Sequence, residues 1–235
     1  MNSSFYFLIL TSFIFSSDLV VIKPVQTFLI DCHEPSDLVF DSIDQTFYCV
    51  SDAGKIINYD INGSLIRETK TDLRDIESIY IDKKFVYIID ERTRQILTLE
   101  KDTFIEVNRK IISYFGGANK GFEGITFNSI KNLWVVATEK SPVLFFELNS
   151  SFQTINIIHE PAEINEVSGM TYYNNFIWII SDGDRTLSKL DPVSYRVIDT
   201  WIIDIPTPEG LAFVKDQLFL VSDNYNMMYK MEKLK

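Results

Sequence analysis

The chain repeats itself five times at spacings of 41 to 46 residues, and that period limits what it can fold into more than any other feature. The units begin at Ser36-Asp37-Leu38, Glu77-Ser78-Ile79, Glu123-Gly124-Ile125, Ser168-Gly169-Met170 and Glu209-Gly210-Leu211. After each start an apolar run ends on an acid, at Asp52, Asp90, Glu139, Asp182 and Asp223. A third run follows in every unit (KIINYD, QILTLE, VLFFEL, TLSKLD, MMYKME), and the first four units carry a fourth (SLIRET, FIEVNRKI, QTINIIH, RVIDTWII). These runs are short, rich in Ile, Val, Phe, Tyr and Trp, and separated by polar turns, which is strand chemistry. Helical spacing is nowhere sustained. Short antiparallel strands in fours, repeated about every 40–50 residues, predict an all-β propeller. Five blades of four strands is the expectation, with six the alternative if one blade is degenerate.

The strand count also predicts how the ring closes. The fifth unit ends at Lys235 after three strands. Thr27-Phe28-Leu29-Ile30-Asp31 matches Thr200-Trp201-Ile202-Ile203-Asp204, the fourth strand of the fourth unit. Asp31 and Asp204 each stand five residues ahead of the next unit's start. The N-terminal strand is therefore expected to complete the last blade, which removes the open sheet edges that invite aggregation. Residues 18–235 form one propeller domain on this reading.

Phe5 to Phe15 is an apolar run, too short to span a bilayer comfortably. Residues 1–17 read as an export signal peptide or, since no Lys or Arg precedes the run, as an N-terminal hydrophobic anchor attaching the chain to a membrane through residues 5–15. The composition, 46% hydrophobic, provides for a core rather than disorder. A net charge of −11 argues against nucleic acid as a partner. Cys32 and Cys49 fit either one disulfide in an exported protein or two small buried thiols.

Several pieces occur in order: Asp90-Glu91-Arg92, Asn119-Lys120-Gly121-Phe122-Glu123-Gly124, Ala137-Thr138-Glu139-Lys140-Ser141-Pro142, Val167-Ser168-Gly169-Met170, Pro208-Glu209-Gly210-Leu211-Ala212 and Val221-Ser222-Asp223-Asn224. Together they resemble the SdiA-regulated (YjiK-like) family of bacterial propellers over roughly residues 25 to 233. The first unit departs from the pattern, with Glu34-Pro35-Ser36-Asp37 where a Glu-Gly pair would stand. The resemblance implies an exported protein (periplasmic, secreted or attached to the cell envelope) with a calcium-associated central cavity.

In a propeller the first strand of each blade lines the axis, so aligned positions become a ring in space. Glu77, Glu123 and Glu209 align, with Ser36 and Ser168 at the other two places. Three carboxylates on one axis need a cation or protons, and hard oxygen ligands suit Ca²⁺. The opposing reading makes them architectural, bonded to backbone amides of the next blade. A second set, Asp90, Glu139, Asp182 and Asp223, ends the second strands. With Arg92, Lys140 and Asn224 in the loops that follow, it gives the candidate ligand-binding residues, although Asp also serves turns for its own sake. The two histidines, His33 and His159, fall at fourth-strand ends, so an acyl-transfer triad is hard to build. The expected function is a non-enzymatic, calcium-associated module that binds a small ligand or a protein. A calcium-dependent hydrolase of esters, lactones or phosphoesters is the alternative, and purely structural display is a third reading.

Overall fold

The computed structural model describes residues 19–116, 121–159 and 164–234, so the expected signal peptide or anchor lies outside the described residues. Strands β1 (Val20–Ile22) and β2 (Pro24–Leu29) come first. Blade one follows as β3 (Pro35–Asp41), β4 (Thr46–Ser51), β5 (Lys55–Tyr59) and β6 (Leu65–Lys70). Blade two is β7 (Ile76–Ile81), β8 (Phe85–Asp90), β9 (Gln95–Glu100) and β10 (Glu106–Ile111). Blade three is β11 (Phe122–Asn128), β12 (Leu133–Thr138), β13 (Leu144–Leu148) and β14 (Thr154–His159). Blade four is β15 (Gly169–Tyr173), β16 (Phe176–Ser181), β17 (Thr186–Leu190) and β18 (Val197–Ile203). Blade five has β19 (Pro208–Val214), β20 (Gln217–Ser222) and β21 (Met227–Met231).

Each blade is an antiparallel meander, and β2 supplies the missing strand of blade five, as the strand count predicts. It pairs antiparallel with β21, Phe28 opposite Met228. The sequence did not betray β1. This short strand runs parallel to β18, Val20 opposite Trp201, and adds a fifth strand to blade four. The N-terminal segment therefore stitches together two neighbouring blades.

Closure is visible in the core, where five apolar clusters each fill one interface between blades. Phe47 and Cys49 of blade one meet Phe219 and Met228 of blade five in the same cluster, so the last interface is packed like the others. Aromatic rings carry much of this packing: Trp134 of blade three lies 4.5 Å from Tyr87 of blade two, ring centre to ring centre. Such pairs add about 0.5–1.5 kcal/mol beyond the area they bury. Outer strands such as β10 and β14 are largely exposed, as expected where no blade covers them.

Cys32 and Cys49 are free, buried thiols with their sulfurs 3.8 Å apart, joining the segment after β2 to β4. His33 is exposed, with its Nδ1 3.2 Å from Glu34.

Candidate functional site: an acidic axial chamber

A slip in strand register turns the axial residues inward. The pairing of the first two strands is interrupted between Pro35 and Asp37, between Ile76 and Ser78, between Phe122 and Gly124, and between Pro208 and Leu211. The extra residue of such a bulge is released from the ladder and re-aimed. Those residues are Ser36, Glu77, Glu123 and, within the fourth interruption, Glu209. In blade four the pairing starts at Gly169, directly after Ser168. All five line one chamber of about 160 Å³ at one end of the axis.

Among the described residues the chamber wall carries eight carboxylates, those of Asp52, Glu77, Glu123, Glu139, Glu166, Asp182, Glu209 and Asp223, and a single cationic side chain, Lys140. Lys140 is already engaged by Glu139 and, at 2.9 Å, by Glu166. Glu166 also accepts from the amide of Gly183 and the hydroxyl of Ser181. Burial opposes its ionisation, but Lys140 and these donors outweigh it and hold the carboxyl below its ordinary range.

The inner carboxylates have no such help. Glu77, Glu123 and Glu209 have no hydrogen bond or ion pair to a described residue. Burial, reinforced by Asp52, Asp75 and Glu91, pushes Glu77 up to about 9. Burial, with Asp182 and Glu77 beside it, pushes Glu209 up to about 10. Glu123 is raised well above the carboxylate range by burial and then by Glu139, Glu77 and Glu209.

The bonding to amides of the next blade that the architectural reading expects of these glutamates is made instead, in blades one and two, by the residue after the axial position. Asp37 is wholly buried and accepts from the Ile79 amide and the Ser78 hydroxyl, both at 2.9 Å. Ser78 in turn accepts from the Ile125 amide at 3.0 Å. Burial lifts Asp37 to about 7 against the pull of these donors. Where Gly210 stands, a Cβ would come within 2.5 Å of the Asp37 Cα, so the first and fifth inner strands touch backbone to backbone.

The second set is rearranged by one residue. Asp90 pairs with Ile76 at the end of β8 and spends its carboxylate on the Thr93 amide and hydroxyl, a turn role outside the chamber wall. Its neighbour Glu91, which the sequence did not single out, is buried behind the wall, accepts from the Gly121 amide at 2.7 Å and brings a carboxylate oxygen within 4.8 Å of Glu77 and of Glu123. Glu139, Asp182 and Asp223 do line the chamber. Arg92 lies outside it, paired with Asp75 at 3.0 Å, and Asn224 donates to the Thr207 hydroxyl beyond the wall.

Two groups bring three carboxylate oxygens within 4.8 Å of one another: Asp75, Glu77 and Glu91, and Glu91, Glu123 and Glu139. Glu91 is common to both, and Glu209 belongs to neither. The tightest convergence thus sits between blades two and three rather than symmetrically on the axis.

Fold and chamber together define a five-bladed propeller with an acid-lined axial cavity. The profile of the SdiA-regulated family matches residues 20–232, and the chain belongs to that family. Among solved structures, glutaminyl cyclase of Myxococcus xanthus superposes with a TM-score of 0.71 at 10% identity, covering 92% of this chain and 98% of that one. The structure of a nidogen–laminin complex matches with a TM-score of 0.57 at 15% identity, covering 80% of this chain and 72% of that one. At these identities both show the propeller fold alone.

Proposed function

We propose that this chain is an exported, cation-binding propeller module that holds calcium in the acidic chamber and presents the surrounding loops to a ligand or protein partner. One observation carries the reading: the carboxylates of Glu77, Glu123 and Glu209 line one chamber with neither a donor nor a cation among the described residues to satisfy them. Ca²⁺ takes about 6–8 oxygen ligands, carboxylates and water among them. The donor set here is all oxygen, with Glu91 and Glu123 the natural first pair because Glu139 and Asp75 already hold Lys140 and Arg92. A modest affinity, about 10⁻⁴–10⁻³ M, is the range of extracellular calcium modules and suits a protein working outside the cytoplasm.

A calcium-dependent hydrolase would need a base beside the metal. Among the described residues no histidine lines the chamber, which favours the binding module. A carboxylate of raised pKa remains the group that would serve in its place.

The test is a thermal melt of metal-stripped protein, with millimolar CaCl₂ and then with chelator, alongside metal analysis of the protein as purified. Calcium is expected to raise Tm and chelator to reverse it, since a ligand of the folded state stabilises it. No response to either overturns the proposal. Turnover of an ester, lactone or phosphoester panel, abolished by Glu123→Gln with folding intact, would move the reading to the hydrolase.

A further inference from the structure

The axis holds a second chamber at its other end, of about 400 Å³, which shares no lining residue with the acidic one. Between the two levels the inner strands draw together at Asp37, Ser78 and Gly210. The chemistry of the second chamber is the opposite of the first. Its wall includes Phe40, Tyr80, Tyr172, Tyr173 and Phe213. These rings are only partly buried, although the remaining apolar faces of the inner strands are covered by neighbouring blades. Tyr173 and Phe213 stack at 4.4 Å and 9°, presenting one continuous aromatic surface across blades four and five. The Tyr80 ring is fixed edge-on against Trp134 at 5.0 Å, yet its hydroxyl has no hydrogen-bond partner among the described residues.

Polar groups interrupt the rings: Ser42, Gln45 and Thr171 add hydroxyls and an amide beside the tyrosine hydroxyls, and among the described residues Lys215 is the one charged residue of the wall, with Asp216 next to it accepting from the Tyr173 hydroxyl at 3.5 Å. Lys215 is exposed in the β19–β20 turn, with a left-handed backbone (φ 53°). It has no ion pair among the described residues, in a chain whose net charge is −11. A concave cavity of some hundreds of Å³ that combines aromatic walls with a few convergent polar groups is a usual form of a small-molecule site.

We propose that this chamber binds a small organic acid: an aromatic or aliphatic body lying against the rings, its carboxylate or sulfonate directed to Lys215. The apolar wall sets the body, and the lone cation sets the charge of the head group. Binding here is independent of calcium, since none of the acidic wall takes part.

The probe is 1-anilinonaphthalene-8-sulfonate, a planar aromatic anion, titrated into the full chain with fluorescence as the readout. Saturable one-to-one enhancement is expected, unchanged by calcium or chelator. Lys215→Glu, a surface change that leaves the fold untouched, is expected to weaken it at least tenfold. Tyr80→Phe, which keeps the ring packing, is expected to weaken it severalfold. Naphthalene-2-carboxylate should displace the probe, and naphthalene-2-methanol should do so at least tenfold less well. Absence of saturable binding, binding indifferent to Lys215→Glu, or equal displacement by the alcohol would each overturn the proposal. A calcium response in the melts with no probe binding would reject this site and leave the cation site standing, and the reverse result would separate them the other way.

Discussion

Glu123→Gln gives the sharpest test of the chamber's electrostatics, because it predicts a gain in stability from removing an inward-facing residue. The carboxylate oxygens of Glu91, Glu123 and Glu139 lie within 4.8 Å of one another. At that separation and an effective dielectric of about 20, two ionised carboxylates repel by about 3.5 kcal/mol. Lys140 offsets the Glu139 charge, so about one such pair is relieved by the substitution. The relief depends on pH. Glu77 and Glu209 titrate near about 9 and 10, and Glu123 is raised in the same direction. Above the ordinary carboxylate range the folded chain keeps protons that the unfolded chain has lost, so wild-type stability falls as pH climbs from about 5 towards 9–10. At pH 9, metal-free Glu123→Gln is expected to melt about 7–14 °C above wild type, taking about 2–4 °C per kcal/mol for a domain of this size. At about pH 4, below the ordinary carboxyl value of 4.5, the difference should nearly vanish, because folded and unfolded chains then hold almost the same protons. Saturating Ca²⁺ should reverse the order at pH 9, since the variant has lost a ligand. Circular dichroism melts on metal-stripped protein read all three conditions. A variant that melts below wild type by the same margin at both pH values would refute the argument and make Glu123 a structural residue.

Three further outcomes follow from single contacts. Glu91→Gln should cut the calcium-induced rise in Tm by more than half, whereas Asp90→Asn should lower Tm with and without calcium alike, because Glu91 belongs to both carboxylate clusters while Asp90 is spent on its turn. Lys101→Met leaves Asp41, its buried partner at 2.8 Å, without a counter-charge and should cost about 3–5 kcal/mol in a urea unfolding titration. Refolding with oxidised glutathione should bond Cys32 to Cys49, protect both from alkylation and add about 3 kcal/mol for a loop of this size; two thiols that still alkylate after unfolding would exclude the bridge.

The repeat carried the fold. Five starts, the acid after each second strand and the match of Thr27–Asp31 to Thr200–Asp204 were enough to place every blade and the closing strand. What escaped was whatever the period does not encode. The acids that end the second strands look equivalent in sequence, but Asp90, opposite Ile76, turns its carboxylate to Thr93, and it is Glu91 after it that comes within 4.8 Å of Glu77 and Glu123. Asp37 stood out as a departure from the Glu-Gly pattern, yet its task of joining blade one to the Ile79 amide of blade two is a long-range contact with no local signature. Strand β1 is three residues long and pairs in parallel, too little for a pattern. Nothing in the sequence sets Tyr172 and Tyr173 apart from the other strand aromatics, and only the closed ring shows their rings left partly open at one end of the axis.

The seal between β2 and β21 also fixes an order of events during synthesis. Phe28 and Met228 are opposite one another in the sheet but 200 positions apart along the chain. At about 5–20 residues per second, the earliest segment to leave the ribosome or a translocation pore waits about 10–40 s for its mate. Through that interval the hydrogen-bonding edge of β2 is unoccupied while blades one to four can already stack. A newborn chain therefore passes through a horseshoe stage with two sticky ends, and its yield should depend on what shields those ends until the last blade arrives.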